Sequence, residues 1–288
     1  MTIPIVSTID TVRDAVRQAR AAGSRIGCVP TMGALHAGHA RLIEVAREQS
    51  DFVVVTIFVN PTQFGPHEDL AKYPRTLDAD RLICEQSGAA LVFAPPPSVI
   101  YPEGFRTYVD VTQLSDVLCG PSRPGHFRGV ATVVLKLFQI VLPDVAVFGQ
   151  KDAQQARILC RMVEDLNLPV TMVIEPTVRE VDGLAMSSRN RYLSPQQRQT
   201  APGIYAAMQA IAEQVHQGER NVQRLETALR AHLVDLPEVR VDYARILDEQ
   251  TLQSITRLER PALMAVALFL GTTRLIDNLI LVPPEAVS

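Results

Sequence analysis

The sequence predicts an α/β protein in which a parallel β-sheet is followed by a smaller α+β unit. Up to residue 174, short β-branched apolar runs alternate with helix-length stretches, which is the pattern of βαβ units. After residue 177 this alternation gives way to a hairpin-like segment, helices and three longer apolar runs. A chain of 288 residues has room for roughly two domains. We therefore predict a boundary between domains 1–177 and 178–288.

The first predicted domain contains five strands and five helices. Turn residues bound the strands, which are residues 25–29, 52–59, 90–93, 145–148 and 170–174. The helices are residues 8–22, 38–49, 76–86, 127–141 and 152–166. Gly23 and Gly88 mark two helix ends, and Pro143 stops a third helix. Helix 127–141 is apolar on nearly every side, so we expect it to be buried. These elements predict a Rossmann-like parallel sheet with helices on both faces.

The second predicted domain begins with two extended arms around a type I′ turn at Asp182 and Gly183. Ser194 then offers a helix cap, followed by a proline and by a capping-box glutamine, Gln197. We expect one helix from there toward Gln217. A second helix at 222–233 and strands at 239–246, 262–270 and 273–281 complete a smaller α+β domain, which we expect to act as a lid.

Composition limits the function classes. A net charge of -3 lacks the basic excess of a nucleic-acid binder, so we expect a small-molecule ligand and no nucleic acid. The four cysteines are widely spaced without a CxxC pair, which is typical of buried thiols in a reducing compartment. No signal-peptide pattern and no apolar run of membrane-spanning length is visible. We therefore expect a cytoplasmic protein that makes no use of a membrane.

The most informative segment is residues 30–39, which read PTMGALHAGH between a strand and a helix. Its glycine spacing matches a P-loop, but His39 stands where that motif needs lysine, so the Walker interpretation fails. A helix start carries unpaired N–H groups and the positive end of the dipole, and two imidazoles there favour a bound anion. We expect nucleotide phosphate. A capping and packing role for His36 and His39 remains the alternative, and no third ligand at a recognisable spacing supports zinc.

Polar segments follow three of the predicted strands, at 36–39, 60–64 and 149–155. In open parallel sheets ligands bind outside the carboxyl ends of the strands, so we expect these segments to face one crevice, with residues 186–190 as a lid. Lys151 at a helix start opposes the dipole by about 0.3–1 kcal/mol, which again favours an anion. Asn60 as a turn start and Asp152 as a helix cap remain structural alternatives.

The remaining histidines are less informative. His216 and His232 fall in amphipathic helices and His67 in a polar loop, so we expect structural or solvated roles. His126 directly precedes the buried helix and is a candidate substrate-side residue.

Five segments together resemble the pantothenate synthetase (pantoate–β-alanine ligase) family, within a superfamily of nucleotidylyltransferases that share His-x-Gly-His. The segments are PTMGALHAGH at 30–39, FVNPTQF at 58–64, YPRT at 73–76, GQKD at 149–152 and MSSRNRYL at 186–193. The resemblance covers nearly the whole chain. It implies an ATP-dependent condensation of pantoate with β-alanine through a pantoyl adenylate, releasing AMP and pyrophosphate, in a homodimeric, magnesium-requiring cytoplasmic enzyme.

The resemblance also implies roles for individual residues. Expected catalytic residues are His36, His39, Lys151, Ser187, Ser188 and Arg189. Expected ATP contacts are Pro30, Met32, His36, His39, Gly149, Lys151, Asp152, Val178, Met186, Ser187, Ser188 and Arg189. Expected pantoate contacts are Thr31, Met32, Asn60, Gln63 and Gln155. Asp78 and Asp80 are expected near magnesium, with helix capping as the alternative.

Two other functions stay open at this point. A transferase could use the same His-x-Gly-His site with another acceptor and keep AMP in its product. A nucleotide sensor could bind ATP and signal through dimer contacts without turnover.

Overall fold

A computed structural model describes residues 2–66 and 68–284. His67 and the last four residues of the predicted second domain lie outside them. The chain forms two compact units: the first is Met1–Gln150 with Gln154–Pro176, and the second is Lys151–Ala153 with Thr177–Ser288. The assignment of predicted domains 1–177 and 178–288 to substrate binding and to a lid stays a prediction.

The first unit is built on a six-stranded sheet with strand order β1-β4-β3-β2-β5-β6 and parallel pairing throughout. The strands are β1 (Ile5–Val6), β2 (Ile26–Thr31), β3 (Phe52–Ile57), β4 (Leu91–Phe93), β5 (Val145–Gly149) and β6 (Thr171–Glu175). The five predicted strands are confirmed with small shifts at their ends, and β1 was missed because two residues show no periodicity. The strand order reverses between β2 and β5, which is where parallel α/β sheets bind ligands.

Helices cover the sheet of the first unit. They are α1 (Ile9–Ala21), α2 (Ala37–Gln49), α3 (Leu77–Gln86), α4 (Pro97–Ile100), α5 (His126–Val141) and α6 (Ala153–Asp165). Ile43 and Ala46 of α2 pack with Val53 and Val55 of β3 in one core cluster. The α5 helix is buried along most of its length, as its composition predicts. The short α4 was missed because four residues carry no helical periodicity.

The second unit joins a three-stranded antiparallel sheet to helices. Its elements are α7 (Pro195–Thr200), α8 (Pro202–His216), α9 (Val222–Val234), β7 (Val239–Asp248), β8 (Ala262–Leu270) and β9 (Thr273–Leu281), with β8 central. The capping box of Ser194 and Gln197 is confirmed. The prediction of one helix toward Gln217 is wrong. Pro202 starts a new helix, because proline has no backbone N–H to donate to the preceding turn and its ring would clash with that turn.

The hairpin that opens the second unit has a different turn from the predicted one. Its arms pair through Met186 N–H to the Val178 carbonyl (3.0 Å), and Gly183 N–H donates to the Glu180 carbonyl (2.9 Å). A type I′ turn requires positive φ at both central residues, whereas in residues 181–183 only Gly183 has it, at 91°. The type I′ prediction is therefore wrong. Asp182 avoids the left-handed region, and the glycine after it adopts that conformation.

No helix within residues 2–66 and 68–284 is both long and apolar enough to cross a bilayer.

Candidate active site

The two histidines after β2 cap the start of α2 with their own rings. Gly38 N–H donates to His36 Nδ1 (3.2 Å), and His36 N–H donates to His39 Nδ1 (3.3 Å). The ring centroids lie 4.2 Å apart. The predicted capping alternative is thus part of the structure: the histidines satisfy N–H groups that a helix start otherwise leaves unpaired.

These hydrogen bonds also determine which ring nitrogen carries the proton. Because each Nδ1 accepts from a backbone N–H, the proton of each neutral ring is on Nε2. The ring donors of His36 and His39 are therefore both Nε2–H groups. Capping and donation to an anion are compatible in the same side chains, since they use opposite sides of the imidazole.

Asp80 is buried beneath the loop that precedes these histidines. It is 1% exposed, and its carboxylate accepts from Ala34 N–H (3.0 Å), Leu35 N–H (2.8 Å) and the Thr76 hydroxyl (3.1 Å). Among the residues that the structure describes, no group of three His, Cys, Asp or Glu side chains could hold a metal ion. The structure gives Asp80 a role in loop structure. The expected approach of Asp78 and Asp80 to magnesium stays a prediction.

Asn60, an expected pantoate contact, is 1% exposed, and its side-chain amide makes hydrogen bonds to other groups of the protein. Its Oδ1 accepts from the Tyr101 hydroxyl (2.8 Å) and the Thr62 hydroxyl (2.9 Å). Its Nδ2 donates to Gln63 Oε1 (3.0 Å) and the Gly129 carbonyl (3.1 Å). Burial raises the pKa of Tyr101, which keeps this hydroxyl protonated. Asn60 therefore supports Gln63, with an amide saturated by protein partners.

Gln63 is held from both ends. Its Nε2 donates to Met32 Sδ (3.2 Å), and its backbone carbonyl contacts His126 Nδ1 (2.8 Å). Arg123 lies 2.9 Å from His126 Nε2 and pairs with both oxygens of Glu68 at 2.7 and 2.6 Å. Because arginine only donates, His126 Nε2 accepts and Nδ1–H donates to Gln63. His126 thus supports Gln63 through its backbone. Sequence reasoning missed Arg123, Glu68 and Tyr101, whose partners are distant in the chain.

Gly129 lets α5 approach the turn that carries Gln63. A Cβ at this position would lie 2.4 Å from the Thr62 carbonyl oxygen and 2.7 Å from Gln63 N. These atoms belong to the backbone, so neither can move away without a shift of the turn itself. Glycine at 129 is therefore a requirement of the predicted pantoate-binding turn.

Lys151, which follows β5 by two residues, belongs to the second unit. Its carbonyl accepts from Asn278 Nδ2 on β9 (2.9 Å), and its Nζ lies 3.8 Å from Asp152 Oδ1. Asn278 N–H donates to Asp277 Oδ1 (2.7 Å). Arg179 pairs with both oxygens of Asp277, at 2.7 and 2.9 Å. A continuous set of contacts therefore fixes the backbone of Lys151 on β9.

The serine-rich segment of the second unit is fixed by a separate network. Ser187 caps a short 3-10 turn, its Oγ accepting from Arg189 N–H (3.2 Å). Within that turn, Asn190 Nδ2 donates to Glu180 Oε1 (2.8 Å). Arg198 donates to the other oxygen of Glu180 at 2.6 Å. Sequence reasoning missed Glu180, Asn190 and Arg198 because nothing local marks them as supports.

The predicted site residues fall into both units. The first unit holds Pro30, Thr31, Met32, His36, His39, Asn60, Gln63, Asp78, Asp80, Gly149 and Gln155. The second unit holds Lys151, Asp152, Val178, Met186, Ser187, Ser188 and Arg189. Within the first unit, direct contacts join His36 to His39 and join Met32, Asn60 and Gln63.

The fold and these residues define a class: an α/β protein with a parallel Rossmann-like sheet, in which polar segments follow strands β2, β3 and β5. A family model described as pantoate-beta-alanine ligase matches residues 4–280. The chain belongs to this family.

Individual relatives are similar to this chain over nearly their whole length. Pantothenate synthetase of Moorella thermoacetica is 50% identical over 277 residues, covering 96% of this chain and 98% of that protein. The Pseudomonas fluorescens Pf0-1 pantothenate synthetase is 52% identical over 276 residues, with 95% and 96% covered.

Solved structures give the same result. A pantothenate synthetase of Thermus thermophilus has a TM-score of 0.93 and 46% identity, covering 98% of this chain and all of that one. A pantoate-beta-alanine ligase of Francisella tularensis, complexed with beta-gamma ATP and beta-alanine, has a TM-score of 0.78 and 32% identity. The match covers 96% of this chain and 97% of that one.

Proposed function

We propose that the protein catalyses the ATP-dependent condensation of pantoate with β-alanine to pantothenate, releasing AMP and pyrophosphate. The observation that carries the proposal is the full-length match to the pantoate-beta-alanine ligase family. The Francisella relative with ATP and β-alanine ligands supports these two as substrates.

The first step joins two anions. A pantoate carboxylate oxygen forms a bond to the α-phosphorus of ATP, the bond from that phosphorus to the bridging oxygen breaks, and pyrophosphate leaves. Like-charge repulsion must be offset by donors aimed at the charge that grows on the phosphoryl oxygens. His36 and His39 Nε2–H and the Lys151 ammonium supply these donors. The hydroxyls of Ser187 and Ser188 and the guanidinium of Arg189 hold the β- and γ-phosphates.

Pantoate is held mainly by amides. Gln63 Oε1 accepts from Asn60 Nδ2 and one Nε2–H donates to Met32 Sδ, so the proposal assigns the second Nε2–H to pantoate. Gln155 supplies a second amide, and the loop at Thr31 and Met32 borders the substrate. A neutral donor orients the carboxylate without the strong ion pair that would weaken it as a nucleophile. Asn60 acts through Gln63.

The nucleoside is assigned to backbone and small side chains. The backbone near Met32 and Val178 borders the adenosine, Gly149 and Asp152 contact the ribose, and Pro30 and Met186 are further ATP contacts. Support for these roles is the match of the motif residues to the family, together with the position of β5 beside β2 at the strand-order reversal.

Magnesium enters this proposal as part of the substrate MgATP. The described residues provide no cage for it, and Asp80 has its oxygens on backbone N–H groups. Mg²⁺ commonly binds phosphate oxygens and water with few protein ligands. From the family resemblance the proposal also includes a homodimer that works in the cytoplasm.

In the second step the free amine of β-alanine attacks the acyl carbon of pantoyl adenylate. The new C–N bond forms, AMP leaves with the electrons of the C–O bond, and the amine loses a proton. Water must be kept away from the mixed anhydride until the amine arrives.

The decisive test is a mass-spectrometric search for pantoyl adenylate after mixing the protein with MgATP and pantoate, without β-alanine. We expect the adenylate and one pyrophosphate for each adenylate formed, and AMP release once β-alanine is added. AMP retained in a larger product would favour the transferase alternative. No pyrophosphate with any substrate combination would favour a nucleotide sensor.

A further inference from the structure

Three consecutive backbone N–H groups of the β2–α2 loop are satisfied by side chains of the protein. Gly33 N–H donates to Thr31 Oγ1 (3.2 Å). Ala34 and Leu35 N–H donate to the two oxygens of Asp80, at 3.0 and 2.8 Å. The loop that leads to His36 is thus bound to a carboxylate from α3.

We propose that Asp80 is a positioning residue, which sets the β2–α2 loop and, through it, the imidazoles of His36 and His39. The inference rests on the proposed function for its kinetic part only. It differs from the magnesium contact expected for this carboxylate, which stays a prediction.

The loop conformation is one that needs such support. Gly33 has a φ of 85° and Ala34 a φ of 52°, so two successive residues are in the left-handed region. For alanine this region costs roughly 1–2 kcal/mol and persists only where the surroundings determine it. A Cβ at Gly33 would also lie 3.0 Å from Asp80 Oδ2. The carboxylate and the loop therefore fit each other closely.

The burial of Asp80 supports a structural carboxylate. At 1% exposure, an unsatisfied carboxylate would be costly, and the two N–H groups with the Thr76 hydroxyl provide three donors. Oδ1 accepts two hydrogen bonds and Oδ2 accepts one.

The effect of Asp80 passes to the histidines through one peptide unit. Leu35, whose N–H is bound by Asp80, directly precedes His36, the cap residue of α2. Leu35 is itself buried in the core cluster of the first unit. His36 N–H in turn orients His39 through Nδ1. A shift of the loop therefore moves both Nε2–H donors, and a misplacement of about 1 Å can cost about 10²-fold in rate.

The test compares Asp80→Asn with Glu85→Gln, which neutralises a carboxylate near the other end of α3 and leaves the hydrogen bonds of Asp80 in place. Asparagine keeps the shape of Asp80 but replaces one acceptor oxygen with an NH₂ group. We expect faster amide hydrogen exchange at Ala34 and Leu35 and a change in the ¹⁵N signals of both imidazoles. We also expect a fall of about 10²-fold in kcat for adenylate formation. The magnesium concentration for half-maximal activity should not change.

Two results would overturn the inference: unchanged exchange at both amides in Asp80→Asn, or a selective rise in the magnesium requirement. If that variant does not fold, Thr76→Val removes one donor while keeping the carboxylate. Unchanged exchange at Leu35 in Thr76→Val would then count against the inference. The exchange and ¹⁵N measurements need no turnover. A failure of the proposed function would appear as no adenylate from the wild-type protein. It is therefore distinguishable from a failure of the inference about Asp80.

Discussion

The side-chain amide of Asn278 donates a 2.9 Å hydrogen bond to the backbone carbonyl of Lys151. Asn278 N–H also donates to Asp277, which pairs with the partly buried guanidinium of Arg179. This guanidinium lies 3.7 Å from the centre of the Tyr205 ring. A cation on a turn is a mobile donor unless its backbone is fixed. Asn278 supplies this constraint from a strand that is far away in sequence.

We therefore predict that Asn278→Ala lowers kcat of adenylate formation, by up to about 10²-fold, because Lys151 loses its backbone anchor. The lost hydrogen bond should reduce the free energy of unfolding by about 1 kcal/mol. Initial rates of pyrophosphate release and denaturant unfolding measure the two effects. The matched control is Asn221→Ala, which removes the α9 cap at a similar cost of about 1 kcal/mol. Equal rates in both variants would contradict the anchoring role.

Substitution of His39 can separate capping from catalysis. In His39→Asn the side-chain oxygen can replace Nδ1 as the acceptor for His36 N–H, but the Nε2–H donor is gone. We expect a rate loss of about 10²- to 10³-fold with stability near that of the wild type. His39→Ala should lose the same rate and, in addition, about 1 kcal/mol of stability. Retention of the wild-type rate by the asparagine variant would restrict His39 to a structural role.

Local sequence patterns predicted those structural features that depend on residues close together in the chain. The strands of the parallel sheet and the capping box at Ser194 were predictable because each signal lies within a few residues. The residues that support the candidate site through distant hydrogen bonds were not predictable. Asp80 binds an amide 45 positions away and Asn278 a carbonyl 127 positions away, and no spacing in the sequence encodes such pairs. Asp80 and Asn60 were expected at ligands, but their hydrogen bonds within the protein could not be predicted, because a sequence does not show which polar groups the protein itself satisfies.

A methyl group at position 129 should disturb the pantoate-binding turn. In Gly129→Ala the new Cβ would meet the Thr62 carbonyl and Gln63 N, so the turn or α5 must shift. We expect the KM for pantoate to rise more than the KM for ATP, in steady-state assays that vary each substrate. Gly65→Ala is the control, since its Cβ would make only ordinary contacts, the nearest at 3.7 Å to Glu68. Equal KM values for pantoate in the two variants would be evidence against the close approach as a determinant of the site.

The Glu68–Arg123 pair predicts a pH dependence of stability. Burial alone would raise the pKa of Glu68, but the hydrogen bonds and charge of Arg123 outweigh it, so the pKa lies below its usual value. A carboxylate with a lowered folded-state pKa stabilises the protein above its unfolded-state pKa, and this contribution is lost as pH falls through the folded-state value. Wild type should therefore exceed Glu68→Gln in unfolding free energy at pH 7, by about 1 kcal/mol, and the difference should shrink as pH falls below the usual pKa of glutamate.

Denaturant unfolding of both proteins between about pH 7 and pH 3 measures this difference, with Glu103→Gln, at an exposed position, as the control. Because Arg123 also contacts His126, which donates to the Gln63 carbonyl, Glu68→Gln should raise the KM for pantoate at neutral pH. A stability difference that persists unchanged in acid would show that Glu68 contributes by packing and not by charge. An unchanged KM would separate the ion pair from the support of Gln63.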